Sequence, residues 1–389
     1  MDIGARLGSM IEAAGLAGAV ALVGNRSGTC FIQSYGARDI AIAAPLADDS
    51  IFQLFSMTKA ITSVAAMQLV ERGLLSLDAP IGEILPELAN PMVVDGFDES
   101  GVAILRPAKR PITLRNLLTH TSGFGYDFCN IDMQRARGPG GPPPPGSRAG
   151  IVSPLLFDPG TRWEYGISTD WVGMAIEAAS NKSLDEFMAE SIFKPLGMID
   201  TGFTLSQNQR ARQATLYARQ KNGALLPFPA DVGGAPEFHS GGGGLLGTGG
   251  DYMRFLRMIL NGGTLDDVCI LSAQSIAEIS RNQIGRLRAG AIASIAPKFS
   301  HNMEWFPEMT PGWGLGFMIN PQKGPNGRAA GSLAWAGIAN SYYWVDPASD
   351  VIGILLSQFL PFGDPQMLNV LGAFETLVYA QRSPISKMS

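Results

Sequence analysis

Ser56 and Lys59, in the run IFQLFSMTKA (51–60), are a pair of side chains whose types and spacing could do chemistry. If the segment is helical, a hydroxyl three residues before an amine lies one turn away on the same face. Such a pair can work as a nucleophile: the amine takes the hydroxyl proton while the oxygen attacks an acyl carbon. The residues that follow supply the helix. Ile61, Val64, Ala65, Met67, Gln68, Leu69 and Val70 recur at three- and four-residue spacing, and Gly73 is a natural stop. A lysine carried inward on so apolar a helix must lose its charge or find a partner. Taken alone, the same spacing also describes a serine N-cap followed by a snorkelling lysine.

Acyl transfer through a serine needs a second group to shuttle protons and donors to hold the oxyanion of a tetrahedral intermediate. Two further segments can supply them. PGTRWEYGISTDWVG (159–173) offers Tyr165 in a loop just before a helix, and AGSLAWAGIANSYYW (330–344) offers Trp335-Ala336-Gly337 at the end of a strand. Competing chemistries are poorly supplied. His120, His239 and His301 are the only histidines, and no G-x-S-x-G sequence occurs, which leaves little material for a Ser-His-Asp triad. No histidines and carboxylates stand at ligand spacing, so neither a metal nor any other cofactor is expected.

The elements that must position these groups fall into a pattern. With 389 residues the chain is too long for one small core, and with 46% hydrophobic against 16% charged residues it buries extensively. The beginning reads as an amphipathic helix (Ile3, Leu7, Met10, Ile11), two strands (GAVALVG and TCFIQSYG), then the Ser56 helix. After Gly250 come a helix, DYMRFLRMIL, then the strand-like runs WGLGFMIN, GSLAWAG, SYYWVDP and VIGILLSQFL, and a closing helix, MLNVLGAFETLVYA. Turns such as GPNG and DPASD between these runs signal an antiparallel meander. Residues 1–75 and 245–389 are therefore expected to form one discontinuous α/β domain, an antiparallel sheet flanked by helices. Residues 76–244, where short helical patterns alternate with polar and proline-rich loops such as GPGGPPPPGS (138–147), are expected to form a mainly helical insertion. A cleft between the two is a natural ligand site.

Partners and address follow from charge and cysteine use. A net charge of −5 gives no basic footprint for nucleic acid. No apolar run approaches the length of a membrane span, and the N-terminus lacks the basic and apolar blocks of a secretory leader. Cys30, Cys129 and Cys269 are scattered and fit a reducing compartment, so the cytoplasm is expected. Oligomeric state leaves no mark that can be read.

In sequence order these elements resemble the penicillin-recognising serine hydrolases, and within them the esterases of the class C β-lactamase type, the family VIII carboxylesterases. Ser56-Met57-Thr58-Lys59 matches the S-x-x-K element, and LLTHTSGFG (117–125) matches a family landmark. Pro159-Gly160 followed by Tyr165 matches the tyrosine element, and SGGGGLLGTGGDYMRF (240–255) matches another landmark. Trp335-Ala336-Gly337 sits where relatives carry K-T-G or W-x-G. The resemblance implies a β-lactamase/transpeptidase-like fold, with Ser56 as nucleophile and Lys59 and Tyr165 sharing the proton work. It also implies an oxyanion hole from the backbone N–H groups of Ser56 and Ile338, with Trp335, Ala336 and Gly337 along the substrate.

Two departures point away from β-lactams. The Y-x-N element reads Tyr165-Gly166-Ile167, without the amide-binding asparagine, and Trp335 replaces the lysine that helps recognise a substrate carboxylate. What remains suits small to medium neutral esters. Three alternatives stay open: an acyltransferase of the same fold, an amidase of the β-lactamase or D-aminopeptidase type, and a non-catalytic sensor or scaffold. Gly242, Gly244 and Gly247 also satisfy G-x-G-x-x-G, but PADVGGAPEFH before them is a poor strand and no βαβ pattern surrounds them, so a glycine-rich crossing near the active site is expected instead. His120 is expected to hydrogen-bond a loop rather than act as a base. Trp163, Trp171, Trp305 and Trp313 are read as packing residues, with Trp305 and Phe306 the better candidates for a pocket lid.

Overall fold

The structure, a computed structural model, describes residues 3–138, 143, 146–229 and 236–381. Most of the proline-rich stretch 138–147 and of the stretch 229–239 lies outside the described residues. The fold is mixed α/β, with an eight-stranded antiparallel sheet at its centre. Its strands are β1 (Gly18–Gly24), β2 (Thr29–Asp39), β3 (Ala44–Pro45), β4 (Gly312–Trp313), β5 (Met318–Ile319), β6 (Leu333–Gly337), β7 (Ser341–Asp346) and β8 (Val351–Leu356). They lie in the order β4-β5-β6-β7-β8-β1-β2-β3, so β1 from near the start of the chain pairs with β8 from near its end.

β7 and β8 are buried along their whole length, as their continuous apolar sequences require for a sheet covered on both faces. Successive side chains of β7 identify the covers. The Tyr343 ring lies 5.2 Å from Tyr252 on a helix at Gly249–Leu260. Its neighbour Trp344 lies 5.6 Å from Phe374 on the closing helix Pro365–Ala380, against which the helix Ile3–Ala13 packs. Trp335 stands opposite Tyr343 in the β6–β7 register and therefore shares its face.

Two further helices matter for the site: α1, Thr58–Glu71, and α2, Ser168–Ser180. Every residue of α1 from Thr58 to Leu69 is buried, so its three- and four-residue spacing marks a helix covered all round, with α2 packed along it. The run WGLGFMIN is two short strands instead of one. Gly316, with φ +91°, turns the chain against Ser63 of α1 and interrupts the extension. The stretch 76–244 holds strands that helical patterning did not disclose: Met92–Phe97 paired with Ala103–Pro107, and Tyr217–Arg219 paired with Leu225–Pro227. Their half-exposed residues break any clean alternation. Among the described residues, no helix is long and apolar enough to cross a membrane, and no three or more His, Cys, Asp or Glu are grouped to hold a metal ion.

Candidate active site

Ser56 lies in a single 3₁₀ turn, Phe55–Met57, that runs directly into α1. The turn is entered through Phe55 at φ +46°, a left-handed conformation that costs an aromatic residue about 1–3 kcal/mol and persists only where neighbours hold it. Here Leu54 N–H donates to Leu245 O (2.9 Å) and the Tyr252 hydroxyl donates to Met57 O (2.9 Å). β6 approaches the same turn so closely that a Cβ at Gly337 would stand 2.6 Å from Leu54 O. Glycine at 337 therefore lets the end of β6 pack against the turn that carries Ser56.

Lys59 follows one turn later and is almost fully buried, at 1% exposure. It finds partners: Nζ donates to Gly242 O (2.7 Å) and lies within bonding distance of Tyr126 OH (3.0 Å) and Ser56 Oγ (3.2 Å). The glycine-rich crossing thus reaches the site and supplies a carbonyl to the lysine. Tyr165 arrives on the segment just before α2 and presents its ring face to Lys59, 4.9 Å from Nζ. The Tyr165 hydroxyl oxygen accepts from Trp335 Nε1 at 3.2 Å, so the phenol bonded by Lys59 is Tyr126, not Tyr165.

Ser56, Tyr165, Trp335, Ala336, Gly337 and Ile338 all line one cleft of about 400 Å³, and Lys59 joins it through its contact with Ser56. Tyr126 and Asp170 line it too, and sequence reasoning missed both. Tyr126 directly follows the LLTHTSGFG landmark, and Asp170 opens α2, so position was the available signal. Most of the remaining wall is apolar, Phe55, Phe128, Phe228, Phe299 and Phe362 with Leu216, Ile292 and Leu360, interrupted by Gln53, Ser240 and Ser300. Among the described residues that line the cleft there is no lysine, arginine or histidine, and Asp170 is the one carboxylate. Burial, reinforced by Tyr165, pushes the Tyr126 phenol well above its ordinary range, so it stays protonated at neutral pH. Burial likewise pushes the Cys129 thiol up to about 12, which makes it an unreactive wall residue.

Two expectations are corrected. His120 does not tie a loop through Nδ1, which has no hydrogen-bond partner among the described residues. It is wedged between the rings of Trp163, Tyr165 and Trp313, and burial together with the Lys59 charge holds it well below the ordinary imidazole range. A neutral ring packed behind Tyr165 is what that leaves. Trp305 is not on the cleft lining. It backs Trp335 (6.3 Å between ring centres) and Tyr342 (5.9 Å), and the phenylalanines named above take the place assigned to it and Phe306.

Comparison with known proteins bears on the family and the fold. Monacolin J acid methylbutanoyltransferase of Aspergillus terreus is 30% identical over 389 residues, covering 94% of this chain and 92% of its own. Lovastatin esterase of Penicillium rubens is 32% identical over 353 residues, 86% of each chain. The solved structure of a simvastatin synthase mutant from Aspergillus terreus superposes with a TM-score of 0.83 at 28% identity, covering 97% of this chain and 96% of that one. The profile described as Beta-lactamase matches residues 5–374. The protein is thus a member of the Beta-lactamase family, with the β-lactamase/transpeptidase fold.

Proposed function

We propose that this protein is a serine esterase of the family VIII carboxylesterase type, working through an acyl-Ser56 intermediate. The observation that carries the reading is the contact of Ser56 Oγ with Lys59 Nζ, 3.2 Å apart, at an apolar cleft that Tyr165 also lines. For Lys59 to take the Ser56 proton, this contact must run from the hydroxyl to the amine nitrogen. Ser56 Oγ attacks the ester carbonyl, the backbone N–H groups of Ser56 and Ile338 receive the oxyanion, and Lys59 and Tyr165 return the proton to the leaving alcohol. Water then repeats the sequence on the acyl-enzyme. An alcohol in place of water would make the enzyme an acyltransferase. The apolar wall and the methylbutanoyltransferase relative favour that second reading for part of its turnover.

Residues from 1–75 and 245–389 (Ser56, Trp335, Ile338) and from 76–244 (Tyr126, Tyr165, Asp170) meet at the cleft, which supports the two-part organisation read from sequence. Three free cysteines support a cytoplasmic address. Among the described lining residues there is no cation to pair with a penicillin carboxylate, which supports neutral esters as substrates.

The test is a panel of p-nitrophenyl esters run beside a penicillin and a cephalosporin. Short-chain esters are expected to exceed penicillins in kcat/KM by at least about 10³, or roughly 4 kcal/mol in the transition state. A phosphonate or sulfonyl fluoride is expected to label Ser56, and Ser56→Ala to abolish turnover with the fold intact. Labelling of a different serine, or penicillin turnover equal to ester turnover, would overturn the reading.

A further inference from the structure

Resting on the acyl-Ser56 reading, we propose that Asp170 is a positioning residue for the Lys59 amine, acting through the glycine run Gly241–Gly244. Of the three acceptors around Lys59 Nζ, the Gly242 carbonyl is the nearest, at 2.7 Å, and the one with no proton of its own to give. Where that carbonyl stands therefore decides how the amine is aimed at Ser56. Yet it belongs to four consecutive glycines, a stretch with no side chains to lock its own backbone.

The locks are external and come from two sides. From α1, which carries Lys59, Thr62 Oγ1 donates to Gly241 O (2.7 Å) and Thr58 Oγ1 accepts from Leu245 N–H (3.1 Å). From α2, Asp170 Oδ1 accepts from Gly242 N–H (2.9 Å) and from the Ser240 hydroxyl (2.6 Å). Asp170 thereby ties the lysine's acceptor to the element that also sets Tyr165. The fit leaves no room for a side chain. A Cβ on Gly242 would stand 2.9 Å from Asp170 Oδ2, and one on Gly241 would stand 2.8 Å from Thr169 O. Asp170 is buried to 6% exposure, and both of these bonds come from neutral donors. Among the described residues no cation bonds it, and a buried carboxylate in that state costs stability. Its strength as an acceptor holds the Gly242 peptide more firmly than a neutral oxygen would.

The experiment compares kcat and KM for p-nitrophenyl butyrate in Asp170→Ala, Asp170→Asn and Gly242→Ala. Asp170→Ala removes the anchor and is expected to lower kcat about 10²-fold, the low end for displaced acid–base machinery, with KM within about threefold. Asp170→Asn keeps an acceptor oxygen for both donors and is expected to recover kcat to within about tenfold of the parent. Gly242→Ala leaves the carboxylate in place but pushes the segment off it. It is expected to reproduce the loss, and it serves as the test should Asp170→Ala fail to fold. Parent-level kcat in Asp170→Ala or Gly242→Ala, or an Asp170→Asn variant as inactive as the alanine, would overturn the proposal. Failure of the underlying reading looks different: the parent would then neither hydrolyse the ester nor be labelled at Ser56.

Discussion

By the sequence resemblance Trp335 stands where lactamases carry a lysine, and restoring that lysine is the intuitive test of the proposed ester preference. The structure argues that Trp335→Lys would measure something else. The indole is 2% exposed, with its ring centre 4.6 Å from Trp313, 5.0 Å from Tyr165 and 6.3 Å from Trp305. Removing a buried ring of this size costs about 3–5 kcal/mol. An ammonium in its place would also be buried among the aromatic rings of Trp313, Tyr165 and Trp305. Trp335→Phe is the cleaner perturbation, because it keeps most of the packing and deletes the N–H that donates to the Tyr165 hydroxyl at 3.2 Å. A hydrogen bond of this kind contributes about 0.5–1.5 kcal/mol net, which is about two- to tenfold in rate if it holds the phenol in its working orientation. The assay pairs kcat and KM for p-nitrophenyl butyrate with urea denaturation. Trp335→Phe is expected to lose about two- to tenfold in kcat with little change in KM, and Trp335→Ala to lose about 3–5 kcal/mol of stability. Full kcat in Trp335→Phe would refute the orienting role of the N–H, and a Trp335→Ala variant as stable as the parent would refute the packing argument.

Lys59→Ala and Tyr165→Phe are each expected to slow acylation by at least about 10²-fold, and the double variant to be little worse than either, because both serve one proton transfer; additive losses in single-turnover burst measurements would mean that they act separately. Tyr126→Phe removes one of the three oxygens around Lys59 and is expected to cost tenfold or less, a larger loss marking Tyr126 as part of the shuttle. Acid stability should depend on Glu278, held at about 2 chiefly by Arg281 with help from Arg115, and on Asp158, held at about 2 chiefly by Arg106. Folded-state values depressed in this way contribute stability above the ordinary carboxylate range, and it is lost as pH falls from about 4.5 toward about 2. Glu278→Gln with Asp158→Asn should therefore lower Tm at pH 7 yet flatten its fall between pH 5 and 2.5, and an unchanged acid slope would count against these pairs.

The parts of the fold that could be read from sequence are those whose pattern is local. β7 and β8 announce themselves as continuous apolar runs, and the helix after Ser56 by its spacing. WGLGFMIN misled because its glycines bend the chain against Ser63, a contact with a distant helix that no window of sequence contains. The site divides along the same line. Ser56 and Lys59 share one turn, and Tyr165 stands beside a recognisable Pro-Gly. Tyr126 belongs to the site because Lys59 reaches across to it at 3.0 Å, and Asp170 because a glycine run crosses in front of it. The sequence resemblance implied that Trp335 stands in place of a cation. The destination of its N–H, Tyr165, lies on a separate segment and could not be read there. The same distinction explains why chemistry was easier to read than specificity. A nucleophile and its amine must be neighbours on one helix, whereas the apolar wall is gathered from Phe55, Phe128, Phe228, Phe299 and Phe362, five places that only the folded chain brings together. On the proposed esterase reading, substrate choice would reside in contacts between elements, and changes to that wall should alter which acyl group is accepted while leaving the Ser56–Lys59 pair intact.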